Sequence, residues 1–78
     1  MSARQHFGSI CAEVICVDGC VTIFAGGTIL HSVLSINHAG ELITFWRNQS
    51  AAPCAGAIIE ALIWARCKLE KTERAYAG

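Results

Sequence analysis

Between Gly19 and Gly40 the chain carries no Asp, Glu, Lys or Arg, and a neutral run of that length must either cross a bilayer or pair with itself. Gly26 and Gly27 stand at its centre, and Thr22, Thr28, His31, Ser32, Ser35, Asn37 and His38 are spread along it. Turn residues amid alternating polarity describe paired strands better than a spanning helix. The expectation is a protein with no membrane partner.

Four strands follow from that reading. Ser9 to Val17 is apolar and β-branched, Asp18-Gly19 is a type I′ hairpin signal, and Cys20 to Phe24 returns beside it. Ala25-Gly26-Gly27 reverses the chain into a third strand, Thr28 to Ile36. Asn37-His38-Ala39-Gly40 reads as another turn, and Glu41 to Trp46 as a fourth strand. Residues 1–8 are left as an N-terminal arm, and 9–46 form the sheet of one 78-residue domain.

The remainder, 50–77, has the helical period. Ser50 is a candidate N-cap, Pro53 falls in the first turn, where a missing N–H costs nothing, and the helix is expected from near Ala51. Ala55, Ile58, Leu62, Ala65, Leu69 and Tyr76 recur at spacings of three, four and seven, which gathers them on one side. Trp64 falls about 160° from Leu62, away from that side. Arg66 to Arg74 holds six of the twelve formal charges. The fold class expected is α+β, a four-stranded antiparallel meander with one long C-terminal helix on one face, in the order ββββα.

That architecture has one lid and two faces. Strand alternation sends Ile10, Ala12, Val14, Cys16, Val21, Ile23, Leu30, Leu34, Ile36, Ile43 and Phe45 toward the helix. The opposite face then collects Phe24, Ile29, His31, Val33, Leu42 and Trp46 with Glu13, Thr22 and Thr44, and is too apolar for a wet sheet. Polar members could leave it tolerable, or residues 1–7 could fold across it, but the economical cover is a second copy about a two-fold axis. Hydrophobic residues make up 54% of the chain and charged ones 15%, against roughly 25% charged in ordinary domains. So small a chain also gains from assembly.

Sites of chemistry are hard to find. Five cysteines, at 11, 16, 20, 54 and 67, include no CxxC pair, so zinc is not expected and no cofactor is implied. Cys54 sits where a helix N-terminus would lower a thiol's pKa, but no histidine base lies near it in sequence. Gly26-Gly27 lacks the lysine and helix of a phosphate loop, and Glu13, Asp18, Glu41 and Glu60 come from separate elements. Net charge is zero, and no Lys or Arg occurs between Arg4 and Arg47, which argues against direct nucleic-acid binding. The opening residues contain no apolar run of signal-peptide type, so a cytoplasmic location is expected.

The class expected is a non-enzymatic protein-binding module, a homodimer acting on a larger protein or complex. Its contacts would come from Phe24, Ile29, His31, Val33 and Trp46 on the sheet, and from Ile63 and Trp64 on the helix back, since aromatic anchors dominate interface energies. A small-ligand-binding oligomer with a pocket between subunits is the alternative. In size, two-sided apolar sheet and lack of a catalytic set, the chain resembles the small accessory and inhibitor proteins of phages and mobile elements, anti-CRISPR proteins among them. The likeness is of type and assigns no residue a role.

Overall fold

The computed structural model describes residues 3–15, 20–49 and 51–77, with side chains placed for those between 4 and 71 except residue 15. Four strands, β1 (Ala3–Phe7), β2 (Ile10–Ile15), β3 (Cys20–Ala25) and β4 (Thr28–Val33), form an antiparallel meander in the order β1-β2-β3-β4. Two helices follow, α1 (Ile36–Asn48) and α2 (Ala55–Ala77). The class is α+β, as expected. The membership of the sheet is not.

The first difference is at the N-terminus, where Ala3–Phe7 pairs with β2 instead of trailing as an arm. Gly8, with φ at 64°, supplies the positive angle that the short reversal between Phe7 and Ile10 requires. The second lies at residues 36–48, where a helix replaces both the expected third turn and the fourth strand. Ile36, Ala39, Ile43 and Trp46 recur at three, four and three, and the adjacent pairs Leu42-Ile43 and Phe45-Trp46 break strand alternation. Ser35 caps the helix, its Oγ accepting from His38 N at 3.1 Å. The turn-like composition of residues 37–40 concealed a first helical turn.

Registers decide what each strand presents. Gly26 and Gly27, at φ 60° and 82°, close the β3–β4 hairpin as expected. The β2–β3 ladder pairs Ile15 with Cys20 and Val14 with Val21, two residues out from the expected pairing of Val14 with Ile23. An even shift leaves every side chain on its expected face. Asp18-Gly19 and the candidate cap Ser50 lie outside the described residues.

The β3–β4 ladder is different, because His31 opposes Ile23 while Ile29 opposes Phe24, leaving Leu30 as an extra residue. This β-bulge inverts the parity of the rest of β4. His31 and Val33 therefore join Ile23 and Val21 beneath the helices, not the open face. Val33 is fully buried.

Helix α2 lies across β1, β2 and β3, and α1 packs against α2. Ala55, Ile58, Leu62, Ala65 and Leu69 are all buried, as their spacing requires, with Ala61 between them; Tyr76 is beyond the described side chains. Ala39 of α1 and Ala61 and Ala65 of α2 have no accessible surface and belong to one cluster. Small side chains there let the two helix backbones approach closely. The helix begins at Ala55, later than Ala51, with turn residues 51–54 bridging from α1.

Gly40 tests the helical assignment of residues 36–48. A Cβ there would meet nothing within 4 Å, so Gly40→Ala should stabilise the protein by about 0.5–1 kcal/mol through helix propensity. Urea denaturation reads the gain, and a loss of stability would contradict the helix.

Candidate functional site

The junction of β4 and α1 is where the expected contact residues gather. Trp46, in the last turns of α1, donates its indole N–H to His31 Nε2 at 3.0 Å, with the rings 6.0 Å apart and 75° inclined. Phe45 stands edge-on to Trp46 at 5.4 Å. At the other end of the helix, His38 Nδ1 accepts from Leu34 N at 3.3 Å while its own N–H is held by Ser35. It resembles a capping box with histidine at the third helical position, except that the ring accepts from Leu34, one residue before the Ser35 cap.

Phe45 is the residue that the helix alone does not explain. Asn37, Glu41, Thr44 and Asn48 make the exposed polar stripe of α1, and Phe45 lies beside them with half its surface open. Leu34, between β4 and the Ser35 cap, is 65% exposed. Strand parity assigned both to the core. The helical period, applied to residues 36–48, would have found Phe45.

Both imidazoles act as acceptors, which fixes their chemistry. His31 must be neutral at Nε2 and His38 neutral at Nδ1 for these bonds to exist. Burial, and then the charge of His38, pull the His31 imidazole below its ordinary value.

The open face of the sheet is more polar than expected. One row runs His6, Cys11, Phe24, Ile29 and the next Arg4, Glu13, Thr22, Ser32. Val33 has moved to the core, and Leu42 and Trp46 belong to α1, packed against it. Arg4 Nε donates to Glu13 Oε2 at 2.9 Å, with Nη2 on the same oxygen. That hydrogen bond and the charge of Glu13 hold Arg4 above its ordinary value. Arg4, His6, Cys11, Phe24 and Gly27 line an open cleft of about 320 Å³ on this face.

The remaining expected contacts separate. Ile29 is 60% exposed on β4, and Ile63 is 45% exposed on α2. Trp64 is half-buried, because Phe7 of β1 packs edge-on against it at 6.4 Å and Lys68 Nζ lies 5.3 Å from its ring centre. The N-terminal strand covers part of that indole. Cys54 directly precedes α2, half-buried against the core, and its carbonyl accepts from Ile58 N.

Among the described residues no three His, Cys, Asp or Glu side chains are grouped to hold a metal ion, and no helix is long and apolar enough to cross a membrane. Compared with family models, with curated proteins and with solved structures, the chain matches none.

The state of His31 has a measurable consequence. Between its lowered folded value and the ordinary value of about 6.5, the unfolded chain binds more protons than the folded one, so stability rises with pH there. The contribution is complete above the ordinary value and is lost as pH falls through the folded one. An NMR titration should place the His31 midpoint below the ordinary imidazole value of about 6.5; a midpoint at or above it would refute the lowered value.

Proposed function

We propose that this protein is a small non-enzymatic binding module, a cytoplasmic homodimer that acts by occupying a surface of a larger protein assembly, in the manner of phage and mobile-element accessory proteins such as anti-CRISPRs. The observation that carries the reading is Phe45, a large aromatic ring held half-open on the otherwise polar side of α1. Ile29 near the start of β4 and Leu34 just beyond its end are exposed as well. Buried aromatic anchors of this kind supply most of the energy of protein contacts, and β4 is an edge strand without formal charge, the type of edge that accepts a neighbour. The other edge, β1, carries Arg4 and His6.

The contact surface favoured is therefore the β4–α1 side, not sheet-on-sheet stacking, which has lost Val33 and Trp46 to the interior. Sedimentation at micromolar concentration should show a dimer for the wild-type chain. The double variant Leu34→Ser/Phe45→Ser should weaken association by tenfold or more, roughly 1.4 kcal/mol or above, with its helical signal retained. A wild-type monomer, or an unchanged dimer in the variant, would count against the reading.

A second reading is favoured by the cleft over Phe24. Its volume of about 320 Å³ is at the small end for ligand pockets, and Arg4, His6 and Phe24 offer cationic and aromatic contacts to a small acidic molecule. In a thermal-shift screen of aromatic carboxylic acids, a binder at a hundredfold excess over its Kd should add about 2.7 kcal/mol of stability. Phe24→Ala should remove the shift, and a screen without binders would dismiss this alternative.

A further inference from the structure

We propose that His31 and His38 form a proton-operated latch, and that acidification below neutral pH frees α1 from the sheet while α2 and the strands stay folded. The inference does not depend on the binding role above. It rests on where the two hydrogen bonds fall. His31 belongs to β4 and accepts from α1, and His38 belongs to α1 and accepts from the backbone that follows β4. One tie sits at each end of the helix, and both acceptors are imidazole nitrogens.

Protonation removes each tie by occupying the accepting lone pair. A proton taken from solvent at His31 Nε2 turns that atom into a donor facing the Trp46 N–H, and one taken at His38 Nδ1 does the same toward Leu34 N. Two donors then confront each other at each end. The resulting charges add to this. His38 stands in the first turn of α1, the positive end of the helix dipole, and no acidic residue lies in that turn to offset it. The two imidazoliums also repel one another, an effect already visible in the influence of His38 on His31.

The groups around the latch do not counter it. Among the described residues, those that titrate or carry charge on neighbouring elements are Glu41 and Arg47 of α1, both exposed, Cys20 of β3, and on α2 Glu60, Arg66, Cys67 and Lys71, exposed, with Lys68 and Glu70 half-buried; apart from burial, only His38 shifts His31. The helix itself is the weakly held part. It has 13 residues, too few to be stable alone in water, and packs chiefly on α2, whereas α2 rests on three strands. Local opening follows the element with fewest supports. Its release would uncover Ile43, Ala39 and Val33, all now buried.

Amide hydrogen exchange between pH 5 and 8, corrected for intrinsic rates, reads the latch. In the wild-type chain, protection of α1 should fall by about tenfold or more on acidification, roughly the loss of one hydrogen bond at each end of the helix, while α2 and β2–β3 keep theirs. The Trp46 indole N–H should lose its protection with α1, and the Trp64 indole should not follow it. His31→Gln/His38→Gln replaces both imidazoles with acceptors that do not titrate in this range, and should abolish the pH dependence of α1; His6→Gln should leave it intact. Protection of α1 independent of pH, a fall shared equally by α1 and α2, or an unchanged pH response in the double glutamine variant would each overturn the proposal. The contrast between the two helices in the wild-type chain decides the matter even if the double variant does not fold.

Discussion

The extra residue in β4 governs which side of the sheet the last strand serves. Leu30 has no partner of its own in the ladder, and from His31 onward the side chains of β4 exchange faces. Val33 thereby completes an inner row with Val21 and Val14, and His31 comes under the helices where Trp46 can reach it. Without that displacement the imidazole would face solvent on the open side, and the indole N–H would need another partner. The reach of Trp46 to His31 and the burial of Val33 both descend from one unpaired residue.

Two helices rather than one also change the balance of surfaces. A single helix over four strands leaves apolar residues without cover, and an associating surface is then demanded by the sheet. With α1 beside α2, the inner face is closed by the chain itself, and the open face is left with Arg4, Glu13, Thr22 and Ser32 across its middle row. The large apolar side chains left exposed among the described residues are Ile29, Leu34, Phe45 and Ile63. In place of an unlidded sheet, the molecule presents a ring on a polar helix face. Lone exposed apolar residues are commonplace, so the position of Phe45 among Asn37, Glu41, Thr44 and Asn48 matters more than its exposure.

Aromatic residues stitch the layers at opposite ends of the sheet. Phe7 against Trp64 fastens β1 to α2, and His31 against Trp46 fastens β4 to α1. The first pair is apolar and indifferent to protons, with Lys68 over the indole as well. The second depends on an imidazole staying neutral. The two ends of one small sheet are thus held by contacts of different chemistry, and only one of them responds to pH.

Some of this was legible residue by residue. The spacing of Ala55, Ile58, Leu62, Ala65 and Leu69 determined the buried side of α2, and alternation placed Ile10, Ala12, Val21 and Ile23 inward even though the hairpin register moved by two, because an even slip conserves faces. Gly26-Gly27 determined a hairpin, since both positions need positive φ. Other features had no local signal strong enough to win. Asn37-His38-Ala39-Gly40 has the composition of a turn, and it becomes helix because Ser35 caps it and Ala39 and Ile43 find α2 to pack on. Phe7 and Trp64 are far apart along the chain, so nothing short-range announces that β1 shields the indole. The bulge at Leu30 leaves no mark in residue type, and only strand pairing creates it. Sequence periodicity determines which side of an element is apolar; the tertiary structure decided what each side meets, because burial depends on neighbours that come from elsewhere in the chain.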